Sequence, residues 1–176
     1  RIDITDKIYF LRGILSKMRY RIISVGRIRE KYFNEGIAEY LKRLTRYCKI
    51  ELVDGLEEKT NPRAGESELE QVIDREGERI LALINPDELL IAFDSQGQMM
   101  NSEEFARFIN DWNNSGRPRV NMIIGGSHGL SSLVKQRSDL IISMGKMTLP
   151  HQMAVFVLTE QIYRAFKIIK GEPYHK

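Results

Sequence analysis

Ser143-Met144-Gly145-Lys146-Met147-Thr148-Leu149-Pro150-His151-Gln152-Met153 is the stretch on which the fold turns. It follows Leu140-Ile141-Ile142, a short apolar run of the kind a buried strand presents. Gly145 then permits a backbone conformation that other residues avoid, so the strand gives way to a loop. Pro150 has its φ near helical values and no N–H to leave unsatisfied, which suits a helix starting beside it. That helix is expected to run to Lys170, where Gly171 and Pro173 stop it. A strand, a loop with Gly and Thr, and a helix N-terminus gather free N–H groups around one pocket, as at the carboxyl end of an α/β sheet.

Outward from this stretch, strand and helix patterns alternate. Tyr20 to Val25 is rich in β-branched residues and reads as a strand ending at Gly26. Glu30 to Tyr47 places Phe33, Ile37, Tyr40, Leu41 and Leu44 at helical spacing, and Ile50 to Val53 is a second strand. After a polar loop from Asp54 to Gly65, Ser67 and Glu70 form a capping-box pattern for a helix through Leu83. Leu89 to Phe93 is the third strand, with Asp94-Ser95-Gln96-Gly97 as a turn at its end and Ser102 as the cap of a helix from Glu103 to about Asn113. Val120 to Ile124 is the fourth strand; a glycine-rich loop and a short helix to about Arg137 follow. The order implies an α/β domain, a mostly parallel sheet with helices on both faces. Arg1 to Lys17 has no clear period and is expected to stand outside that domain, with Met18 as its natural start.

Composition bounds the function without naming it. The chain has 176 residues, 42% of them hydrophobic, which fits one domain with a substantial core. No apolar run approaches the roughly 20 residues needed to span a bilayer, so no membrane partner is expected. A single cysteine, Cys48, excludes an internal disulfide and fits a reducing, cytoplasmic compartment. The excess of 27 Lys+Arg over 24 Asp+Glu is small. Its distribution is uneven: Arg19, Arg21, Arg27, Arg29 and Lys31 crowd the start, and Arg164, Lys167 and Lys170 recur near the end. Either a phosphate-facing side or ordinary solvated helix faces would account for that.

Gly125-Gly126-Ser127-His128-Gly129 follows the fourth strand. It lacks the Gly-Lys-Ser/Thr ending of a P-loop and the glycine spacing of dinucleotide folds. It does satisfy Gly-x-Ser-x-Gly between a strand and a helix, and Asp139 and His151 follow in the chain order of a hydrolase triad. A serine hydrolase therefore competes with a simpler reading, in which paired glycines let a ligand approach the backbone.

Longer motifs decide between them. Ile123 to Leu130 (Ile-Ile-Gly-Gly-Ser-His-Gly-Leu), Ser143 to Gln152, Glu160-Gln161-Ile162-Tyr163-Arg164-Ala165 and Pro173-Tyr174-His175-Lys176 together resemble the RlmH family, as do Val25-Gly26-Arg27 and Glu39-Tyr40. These are SPOUT-class methyltransferases that methylate N3 of a pseudouridine in helix 69 of large-subunit (23S) ribosomal RNA. The resemblance runs from Met18 to Lys176. It implies a sheet whose C-terminal part is tied in a deep trefoil knot, an exception to the rule against knotted chains. It also implies a homodimer in which the partner chain helps complete each site. The small basic excess, in a domain of this size with no separate RNA-binding module, points to the assembled ribosome as substrate. A helix turn, Met153 to Leu158, that is apolar all round is consistent with cover from a second subunit.

The resemblance further implies that S-adenosylmethionine binds against Phe93, Gly125, Met144, Gly145, Lys146, Met147, Thr148 and Leu149. Phe93 stands where the family usually carries an aliphatic residue. Methyl transfer from a sulfonium requires no metal. A pseudouridine N3–H is a weak acid, so a base and a charge stabiliser should help. His175 is the candidate for handling the proton and Arg164 for stabilising charge or contacting phosphate, while Tyr174 is placed to stack on the base or orient the tail. His151 is expected to organise its loop, and His128 to be structural. A catalytically silent ribosome-binding module is the third reading.

Overall fold

A computed structural model describes residues 18–175; the expectation about Arg1 to Lys17 lies outside the described residues. Five strands, β1 (Arg19–Ser24), β2 (Lys49–Val53), β3 (Leu89–Met99), β4 (Val120–Ile124) and β5 (Leu140–Ser143), form one sheet. Its order is β2-β1-β4-β3-β5 and every pairing is parallel. The helices are α1 (Lys31–Leu44), α2 (Glu66–Leu81), α3 (Ser102–Asn114), α4 (Ser132–Arg137) and α5 (His151–Ile169).

Strand alternation sorts the side chains into two cores. Tyr20, Ile22, Ile91, Val120, Met122 and Ile142 face α1, α3 and α5, whereas Ile23, Leu90, Ala92 and Ile123 face Ile80 of α2 and Val134 of α4. Both faces of β4 are covered, and all five of its residues are buried. Burial of each such aliphatic side chain contributes about 1.5–3 kcal/mol. Moves in one direction across the sheet, β1 to β2 and β3 to β4, use helices of the first face. Those in the other direction, β2 to β3 and β4 to β5, use the second, so the crossovers share one hand.

Three local expectations are corrected. Residue Ser67 lies inside α2, whose N-cap is Gly65 without a side-chain cap bond, so Ser67 and Glu70 form no capping box. The cap of α3 is Asn101 rather than Ser102: Asn101 Oδ1 accepts from Glu104 N at 2.8 Å and Glu104 Oε2 from Asn101 N at 2.8 Å. Asp94 to Gly97 does not end β3. The strand makes a register shift there and resumes against β5, with Gln98 opposite Ile142 and Met99 opposite Ser143. Among the described residues no helix is long and apolar enough to cross a membrane.

Candidate cofactor cleft and C-terminal cluster

Two loops meet at the carboxyl ends of β3, β4 and β5. Gly125 is pressed against the turn it opens, where a Cβ would lie 2.9 Å from the carbonyl carbon of Gly129. Gly129 closes that turn by donating its N–H to Gly126 O at 3.2 Å, with φ +85°. Gly145 has φ +131°, and Ser143 Oγ both accepts from Gly145 N (3.2 Å) and donates to Gly145 O (3.0 Å). Such backbone favours glycine on conformational grounds alone.

Between these loops lies a cleft of about 650 Å³. Phe93, Gly125, Met144, Gly145, Met147, Thr148 and Leu149 all line it, and Lys146 does not. Lys146 is exposed, as are its neighbours Met147 and Thr148. Asp94 and Ser95, read in sequence as part of a turn, also line the cleft. Burial would raise the Asp94 carboxyl, but the hydrogen bonds from Lys135 Nζ at 2.7 Å and Gln96 N at 2.9 Å outweigh it and leave it below the usual carboxylate range. At Gly129 and Gly145, the place of a Cβ is open space within 4 Å. The cleft is thus large, partly apolar and walled by backbone, which fits a nucleoside carrying an amino-acid side arm.

The far end of the connection is anchored by His151, whose Nε2–H donates to Arg27 O at 3.0 Å. Gln152 Oε1 accepts from Arg29 N at 2.7 Å and Glu30 N at 3.0 Å, which ties the start of α5 to the segment leading into α1. These contacts are the kind a loop-organising His151 would make, and the same residue also lines the cleft. They also separate the proposed triad: Asp139 Oδ2 accepts from Leu90 N at 2.8 Å, at the amino end of β3, while His151 sits at the carboxyl end. Ser127 lies in the turn before α4, whose N-cap is Ser131. No hydrolase elbow is assembled.

Arg164, Tyr174 and His175 come together in a second place. Glu160 Oε1 accepts from Arg164 Nε at 3.0 Å and Nη2 at 2.5 Å, and from Tyr174 Oη at 3.0 Å. The Arg164 guanidinium lies 4.8 Å from the centroid of the Tyr174 ring. Tyr40 Oη is 3.2 Å from Tyr174 Oη. Burial, then the bonds with Tyr40 and Glu160, push the Tyr174 phenol well above its ordinary value. His175 bridges Arg164 Nη1 (3.2 Å, at Nδ1) and Glu103 Oε1 (2.8 Å, at Nε2). The bond from His175 is the main reason the Glu103 carboxyl is held below its usual range. Lys167 pairs with Glu172 at 2.6 Å and Arg164 with Glu160, so both cations carry intramolecular partners in this structure.

The cluster does not line the 650 Å³ cleft. It borders a neighbouring cleft of about 540 Å³ through Glu103, and the two clefts share Phe93, Met144 and Gly145. Residues 18–175 match the family described as predicted SPOUT methyltransferase.

The chain belongs to the SPOUT methyltransferase family. It is 54% identical over 159 residues to the ribosomal RNA large subunit methyltransferase H of Syntrophomonas wolfei, covering 90% of this chain and all of that one. The proteins of that name from Carboxydothermus hydrogenoformans and Listeria monocytogenes are 50% and 48% identical over the same share of each chain. Membership makes the chain an S-adenosylmethionine-dependent methyltransferase, and the glycine-walled cleft has the size and lining for that cofactor.

Proposed function

We propose that this protein methylates N3 of a pseudouridine in helix 69 of large-subunit ribosomal RNA, acting on the assembled ribosome in the cytoplasm. The observation that carries the reading is the cleft between Gly125–Leu130 and Met144–Ala154, in a chain so similar to ribosomal RNA large subunit methyltransferases over its full described length. Bound S-adenosylmethionine supplies an electrophilic methyl group. Phe93 and the backbone from Met144 to Leu149 hold it against Gly125, and His175 takes the N3 proton as the nitrogen becomes nucleophilic. Arg164 stabilises the negative charge that develops on the base or its phosphate, and Tyr174 stacks or steers the tail.

The enzyme works as a homodimer in which each tail completes the cofactor site of the other chain. The separation of Arg164, Tyr174 and His175 from their own cofactor cleft supports this, because a second copy is one way to bring a tail to it. Met147 and Met153 are exposed beside that cleft and on α5, where a partner would cover them. The C-terminal part, within a working domain of residues 18–176, is wound into a deep trefoil knot. The path supports that topology: from β5 at the sheet edge, the chain crosses the ends of β3 and β4 to reach Arg27 beyond β1.

The test is transfer of a labelled methyl group from S-adenosylmethionine to ribosomes lacking the modification. Label in helix 69 is expected. Binding of ribosomes without transfer, with cofactor supplied, would favour the silent-module reading instead.

A further inference from the structure

We propose that Glu103 is the positioning residue for His175, fixing the tautomer and orientation in which the ring accepts the N3 proton. This rests on the reading of His175 as the proton acceptor. Arginine has only donors, so Arg164 Nη1 must donate to Nδ1, 3.2 Å away. A carboxylate only accepts. Nε2 therefore carries the hydrogen and donates it to Glu103 Oε1, 2.8 Å away. The lone pair is on Nδ1 and is held by Arg164 until a substrate is present.

When a carbonyl oxygen or phosphate of the RNA draws the guanidinium, Nδ1 is freed. The proton leaves N3 and bonds to Nδ1, the N3 electron pair forms the bond to the methyl carbon, and the carbon–sulfur bond electrons return to sulfur. The resulting imidazolium lies against the Glu103 carboxylate, which stabilises it as the charge forms. Glu103 is well placed for this. It sits in the first turn of α3, next to the Asn101 and Glu104 capping box, so its backbone is fixed. Its side chain is half-exposed and its bond to His175 is the contact from α3 to the tail, while Arg164 and Glu160 approach from α5 and Tyr40 from α1.

Three histidines make the ring observable by nitrogen NMR, with His175→Ala assigning the signal. The intact protein should show the Nε2–H tautomer at His175, and Glu103→Ala a mixture, with unchanged melting temperature and cofactor affinity. Methyl transfer at saturating ribosomes should fall about tenfold or more in Glu103→Ala, with KM for ribosomes little changed. Glu103→Gln, which still accepts from Nε2–H, should restore the tautomer and part of the rate. In a His175→Ala background, Glu103→Ala should cause no further loss. An unchanged tautomer in Glu103→Ala, an unchanged rate, or an equal loss without His175 would each overturn the proposal. If the intact protein shows the tautomer but transfers no methyl, the parent reading fails and this one with it.

Discussion

Gly97 rests directly on the backbone of Ile142: a Cβ added to it would stand 2.6 Å from the Ile142 carbonyl carbon and 2.7 Å from its nitrogen. This contact lets β3 resume against β5 after its register shift, and it closes the wall carrying Asp94 and Ser95 beside the cofactor cleft. Because the opposing atoms are main chain, they cannot turn aside. Gly97→Ala should therefore destabilise the domain by about 1–3 kcal/mol, the usual cost of overpacking. It should also weaken S-adenosylmethionine binding. Denaturant unfolding and calorimetric titration test both effects, and wild-type values in each would contradict the account.

That same segment marks where the sequence stopped being legible. Val120 to Ile124 was readable as a strand because all of its side chains are buried, and the apolar run says so. Asp94-Ser95-Gln96-Gly97 has the composition of a turn, and only its contact with β5 makes it part of a longer strand. The tail shows a similar division. Long motifs located Arg164, Tyr174 and His175, and Glu160 opens one of them, but nothing in the sequence assigned a role to Glu160 or Glu103. Their roles come from tertiary approach: Glu103 is 72 residues from His175, and Glu160 gathers two partners on one oxygen.

The cap of α3 provides a second prediction. Asn101 and Glu104 satisfy two otherwise open backbone N–H groups reciprocally. Asn101→Ala should cost about 1 kcal/mol, whereas Ser67→Ala, inside α2 with no capping bond, should stay within about 0.5 kcal/mol of the intact protein. Chemical denaturation of the two variants in parallel distinguishes a cap at Asn101 from the pattern expected at Ser67.

Glu76 gives a pH-dependent prediction. Burial is the leading reason its carboxyl is raised, and the bond from Glu58 N at 2.8 Å, with His128 and Arg79 nearby, offsets only part of that. A raised folded-state value means the folded protein holds the proton more tightly than the unfolded chain. Stability contributed by this group is thus full at acid pH and declines as pH rises past the usual carboxylate value towards the folded one. Glu76→Gln keeps an acceptor for Glu58 N and removes the titration. The variant should melt above the intact protein at neutral pH, with the difference shrinking to nothing in acid. A constant difference across pH would mean that burial of charge at Glu76 is not its source.

The arrangement of tail and cleft permits a decisive test of which chain serves which site. Gly145→Val places a branched side chain at φ +131° in the wall of the cleft, so it should abolish cofactor binding in its own chain. His175→Ala should leave cofactor binding intact and remove proton handling. Alone, Gly145→Val should be inactive and His175→Ala should keep only a small residual rate. In a mixed dimer, the tail of the Gly145→Val chain can serve the intact cleft of the His175→Ala chain, so one of two sites works. Random reassortment of equal amounts makes half of the dimers mixed and should recover about a quarter of wild-type methyl transfer. If each tail instead served its own cleft, no combination of these two chains would contain a complete site, and mixing them would restore nothing.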